Sequence, residues 1–212
     1  MNLYFFDMDS LEQELKQLSP LHRVAFAASI CERMLPNYNA FSRMENWGNP
    51  LVPRKALNEI WQALQRKSAD EVQLLQLAED CVREDICPDS DDFFDSYYLF
   101  EAQEALFAIH ATLHAYLNPT SLQFILQVVK GVRFNTIELF IRARDESFNA
   151  SQYKDKKAQL DAITNHPLAV REMTKENEDL QRLKEMKILD CNFLEWLCTS
   201  FDNGGKSIID AS

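Results

Sequence analysis

Apolar residues return every three or four positions along most of this chain, the spacing of helices that bury one face. No strand-like alternation of apolar and polar residues survives more than a few positions. Asp9 or Ser10 opens a short helix to Leu18, and Ser19 caps a second with Pro20 in its first turn, where a missing N–H costs nothing. Pro36 is expected to stop that helix and Asn37 to start another, with Tyr38, Phe41, Met44 and Trp47 on its inner face. Pro53 begins a helix carrying Leu57, Ile60, Trp61 and Leu64. Ser68-Ala69-Asp70-Glu71 has the capping-box pattern for the next, which Pro88 ends. Residues 95–117 and 119–148 read as two helices joined at Asn118-Pro119, apolar on most sides and therefore central. A short polar helix covers 151–163. Asn165-His166-Pro167 then heads a last long helix to about Ser200, solvated from Thr174 to Asp179 and packed from Leu183 onward. Gly204 is expected to close it in a left-handed cap and to leave a short mobile tail.

Composition sharpens this into a fold class. At 212 residues, with 46% hydrophobic and 26% charged residues, the chain can bury a sizeable core without disulfides or metals. Four glycines are too few for many tight hairpin turns. No linker rich in Gly, Ser or Pro divides the sequence, and no fixed-period repeat is visible. The reading is one all-α, bundle-like domain over residues 1–212, with about eight or nine helices around two central apolar ones.

Charge and cysteine usage narrow the compartment and the partners. A net charge of −11 and a pI near 4.8, with no basic patch, argue against nucleic acid and against an anionic membrane surface. No apolar run approaches the ~20 residues of a spanning helix. The N-terminal Leu3-Tyr4-Phe5-Phe6 cluster lacks the basic segment and cleavage site of a leader peptide. Five cysteines, none in a Cys-x-x-Cys pair, fit a reduced cytoplasm. Cys31, Cys191 and Cys198 sit in apolar helical stretches and are expected to pack as small hydrophobes.

Four constellations carry potential chemistry. Asp91-Asp92-Phe93-Phe94-Asp95 reads Asp-Asp-x-x-Asp, and on a helix Asp91 and Asp95 share a face that could hold a divalent cation and, through it, a phosphate or diphosphate. Isoprenoid synthases use such a motif, but they need a second metal-binding motif that is missing here. Such a site would need a further carboxylate from Glu84, Asp85 or Glu101; otherwise the acidic residues simply favour the positive end of a helix dipole. His110 and His114 are spaced as in His-Glu-x-x-His metalloproteases, but Ala111 stands where the glutamate belongs. Lying on the stripe of Leu99, Leu106, Leu113 and Leu117, they are expected to be buried and hydrogen-bonded to a neighbouring helix. Gly204-Gly205-Lys206-Ser207 matches only the end of a phosphate-binding loop, with Ser200 where its first glycine belongs. No cofactor is expected.

The fourth constellation is the run Cys31-Glu32-Arg33-Met34-Leu35-Pro36-Asn37-Tyr38 with Phe41 three residues on. Glu32 can pair with a basic residue on another element, Arg33 complements a helix C-terminus, and Tyr38 packs into the angle while its hydroxyl reaches a polar partner. The functional alternative is that Glu32, Arg33, Asn37 and Tyr38 converge on a small polar site. This run resembles the YjaG-like family of bacterial proteins, a domain of unknown function of the DUF416 type. Pro53 to Trp61, Asp91-Asp92-Phe93 and Asn165-His166-Pro167 extend the resemblance. It implies an α-helical cytoplasmic protein and brings no catalytic residues. The expected role is a non-catalytic interaction or regulatory module that binds another protein or a second copy of itself. The alternative is a metal-dependent enzyme acting on a phosphorylated or diphosphate substrate at Asp91, Asp92 and Asp95.

Overall fold

Asp7 accepts a hydrogen bond from the Ser10 amide (2.9 Å) and so starts α1, Met8–Lys16, the first element of a computed structural model that describes residues 4–200 and 206–210. Ser19 caps α2, Pro20–Glu45, and Asp70 caps α4, Glu71–Cys81, after α3, Leu51–Arg66. Turns occupy most of residues 82–98 before α5, Leu99–Leu117. A long rod follows, made of α6 (Gln123–Lys130), a π-helical stretch (Gly131–Glu138) and α7 (Leu139–Ala143). A 3₁₀ turn at Ala150–Gln152 precedes α8 (Lys156–Thr164), α9 (Pro167–Glu185) and α10 (Cys191–Thr199). The domain is all-α, as its periodicity implies, and the described residues contain no strand.

Several boundaries differ from expectation, by a few residues at the starts of α3, α5 and α8 and the end of α4, and more deeply in three places. Helix α2 runs straight through Pro36. Proline has no N–H to return to the Glu32 carbonyl, a loss of ~3 kcal/mol in an isolated helix. Here Met34, Leu35, Asn37 and Tyr38 are all buried on either side of it, and that burial holds the two halves in one rod. The stretch 119–148 is not one regular helix, because its middle winds as π. The final helix breaks at Met186–Asp190: the Met186 carbonyl is taken by His22 Nε2 (2.9 Å), and Asp190 recaps α10 by accepting from the Phe193 amide (2.8 Å).

The centre of the fold is α2 lying along α5, the most extensive pairing in the molecule, with α4 and the α6 rod on further sides of α5. One continuous core runs from Phe5 to Ile209. The expected loose tail is in part packed: Ser207, Ile208 and Ile209 are buried, while Gly204 lies outside the described residues. No helix among the described residues is long and apolar enough to cross a membrane.

Candidate functional site

The four residues of the α2 signature point four ways. Glu32 accepts two bonds from Arg54 on α3 (both 2.7 Å) and one from Trp61 Nε1 (2.7 Å), with the Cys198 thiol of α10 at 3.4 Å. Arg33 turns instead into the interior, towards α9, and does not sit at a helix end. Asn37 Oδ1 accepts from Ser207 Oγ (2.6 Å) and the Ile208 amide (3.1 Å), anchoring the C-terminal segment. The Tyr38 hydroxyl donates to the Ile86 carbonyl (2.8 Å) and accepts from the Asn49 amide (3.3 Å), and burial pushes it up to about 12. Glu32 does find its basic partner on another element. The convergence of the four on one polar site is absent from this geometry.

The stretch expected to be solvated holds the densest charge in the interior. Arg33 donates to Glu172 from Nε and Nη2 (2.9 and 2.6 Å), to the Ser29 carbonyl (2.9 Å) and to Asp179 (3.3 Å). Arg133, in the π stretch, grips Glu176 (3.1 and 2.5 Å) and the Phe5 carbonyl (3.1 Å). Lys175 pairs with Asp179 and lies 4.3 Å above the Trp196 ring. Glu172, Glu176 and Asp179 recur at four- and three-residue steps, so the helical period that normally marks an apolar stripe is here written in carboxylates. Burial drives the Glu176 and Asp179 carboxyls upward, while the arginines facing them pull the other way. Reading 174–179 as exposed fails because polarity alone does not reveal partners 146 and 43 positions away in sequence.

The acidic motif takes a different form from the expected one. Asp91, Asp92 and Asp95 lie in turns before α5, exposed to solvent, so helical spacing does not align them. They do not form a group able to share an ion among the described residues. The group that does is Glu79, His110 and His114. Around the acidic turns stand aromatic side chains with large exposed surfaces: Phe94 (75%), Tyr97 (45%), Phe100 (57%) and Phe107 (39%). Phe100 and Phe107 are seven residues apart on α5 and so share its outer face, while the adjoining Leu99, Leu106 and Leu113 are buried.

Two clefts adjoin these features. The larger, about 820 Å³, lies between the end of α7, the start of α9 and residues 206–210. Several of its charged groups are engaged with the protein itself: Arg144 with Glu101 and the Tyr97 carbonyl, Arg171 with the Ile208 carbonyl, His166 Nε2 with Asp145 (2.9 Å). The smaller, about 370 Å³, separates α3 from α10 and is lined by Trp61, Gln65, Cys191 and Cys198. Cys191 is exposed and Cys198 half-buried, in contrast to the core packing expected of both. Burial and the Glu32 carboxylate push the Cys198 thiol up to about 12.

Comparison with known proteins gives concordant results. The family model for proteins of unknown function DUF416 matches residues 10–210. The uncharacterised protein YjaG of Escherichia coli K12 is 33% identical over 116 residues, 55% of this chain and 57% of that protein, so the aligned part spans little more than half of the relative. An uncharacterised protein of Haemophilus influenzae is 28% identical over 176 residues, covering 81% of this chain and 75% of its own length. The crystal structure of a DUF416 family protein from Shewanella baltica OS155 superposes with a TM-score of 0.74 at 26% identity, covering 94% of this chain and 97% of the other.

Proposed function

Because the chain belongs to DUF416, a family of proteins of unknown function, its role must be read from its own surface, and we propose a non-catalytic interaction module that docks a basic, apolar segment of another protein. The observation that carries this reading is the run of exposed aromatics Phe94, Tyr97, Phe100 and Phe107 set beside the exposed Asp89, Asp91, Asp92 and Asp95. Large aromatic side chains left in water at the end of an otherwise well-buried helix are the usual anchors of an interface. The carboxylates beside them, on a molecule of net charge −11, attract a cationic partner and repel a second copy.

A photo-reactive phenylalanine analogue placed at Phe94 or Phe100 tests it, with the same analogue at Glu185 as control. Cross-links from the first two positions should land on a Lys/Arg-rich segment carrying apolar residues and should weaken with added salt. Products shared with position 185, or cross-links to a second copy of this chain, would refute the reading.

A further inference from the structure

The four histidines divide sharply in two. His22 and His166 have both ring nitrogens engaged by the protein: His22 with Ser19 (2.5 Å) and the Met186 carbonyl (2.9 Å), His166 with the Leu168 amide (3.3 Å) and Asp145 (2.9 Å). His110 and His114, expected to be buried and bonded to a neighbouring helix, are half-exposed, and neither ring makes a hydrogen bond among the described residues. They lie one turn apart on α5 with ring centroids 4.5 Å apart. The His114 ring is stacked on Phe124 of α6 (5.5 Å, 23°), which restricts its rotation. Across the groove α4 brings up Glu79, held in place by the buried Leu74, Leu77, Ala78 and Cys81 on the same helix.

From this arrangement we infer that Glu79, His110 and His114 form a binding site for one divalent transition ion of the zinc class. One donor atom from each residue lies within 4.8 Å of the others. Donors bound to one zinc at about 2.0–2.2 Å sit roughly 3.4 Å apart, so small side-chain rotations suffice to close the site. Two imidazoles and one carboxylate suit zinc, cobalt or nickel, whereas magnesium and calcium take oxygen donors throughout. Three protein ligands leave a fourth position facing solvent. The inference stands apart from the docking surface, because it requires no aromatic anchor and no partner.

The test is titration of the chelator-stripped full chain with Co²⁺ and Zn²⁺, followed by visible absorption and by imidazole NMR. One Co²⁺ per chain should bind with the weak d–d bands of a nitrogen/oxygen site, and Zn²⁺ should shift the His110 and His114 resonances but leave His22 and His166 in place. The double variant His110→Ala/His114→Ala should bind at least about tenfold more weakly, since even the outer partners of a metal ligand are worth ~10–100-fold. Glu79→Gln, at an exposed position that the fold does not depend on, should weaken binding in the same direction. Three results would overturn the inference: no binding by the wild-type chain at micromolar metal, equal binding by the variants, or a strong thiolate charge-transfer band placing the ion on cysteine.

Discussion

Gly48 shows how one residue can hold a corner of this fold. Its backbone sits at φ +76°, and a Cβ there would stand 2.4 Å from the buried Tyr38 hydroxyl, the group that ties α2 to the Ile86 carbonyl. Gly48→Ala should therefore lose about 2–4 kcal/mol in denaturant unfolding, from left-handed strain and the broken hydrogen bond together. The cysteines allow a second expectation. Burial pushes the Cys31 and Cys81 thiols up to about 12, whereas Cys191 is exposed. Iodoacetamide at neutral pH should label Cys191 first and reach Cys31 and Cys81 only after unfolding, which peptide mass mapping reads directly. Asp145 gives a pH dependence. Hydrogen bonds from Ser147, then His166, hold its carboxyl below the ordinary aspartate value, so its contribution to stability is present above that ordinary value and lost as pH falls through the lower folded one. Ser147→Ala should raise the Asp145 titration midpoint in a carboxyl NMR experiment. Residue by residue, the partner of Glu32 and the packing of Tyr38 were legible because charge and ring size dictate them. The direction taken by Arg33 was not, since nothing local distinguishes a guanidinium at a helix end from one buried against a distant helix.

At the scale of elements, legibility followed the strength of local signals. Ser19-Pro20 and Pro167 mark helix starts through chemistry that acts within one turn, and those starts are where the structure has them, whereas the capping-box pattern from Ser68 to Glu71 puts the next start two residues early, because Asp70 and not Ser68 is the cap. Pro36 misled because its local cost is overruled by tertiary burial, and the Met186–Asp190 break was hidden because its cap partner, His22, comes from another helix. The π stretch leaves no sequence mark at all, yet it presents Arg133 to Glu176. Arg133→Met should cost about 3–5 kcal/mol by stranding that carboxylate, and adding Glu176→Met should recover most of the loss; a double-mutant cycle in urea measures the coupling. The metal candidates divide the same way. Spacing alone suggested Asp91 and Asp95, but they lie in turns and belong to no group able to hold an ion among the described residues, while Glu79 joins His110 and His114 only through the packing of α4 on α5.

For the whole molecule, the charges buried against α9 cancel: Arg33, Arg133 and Lys175 face Glu172, Glu176 and Asp179, and the further buried carboxylate, Glu101, is met by the partly exposed Arg144, so the net −11 is carried by the remaining residues, most of them at the surface. The all-α class was readable from periodicity, and the central position of α5 from its apolar surroundings; the depth of α9 was not, since its inner face is polar. That inner face also sets the order of events when the chain is made. A chain growing from its N-terminus exposes Arg33 and Arg133 long before Glu172 and Glu176 exist, and burying two guanidinium groups before these carboxylates arrive is costly. The first 166 residues, though they contain most of the core, should therefore remain loosely packed until α9 emerges. A chain truncated after residue 166 should lack the cooperative thermal transition of the full protein, and adding α9 as a separate peptide should restore it.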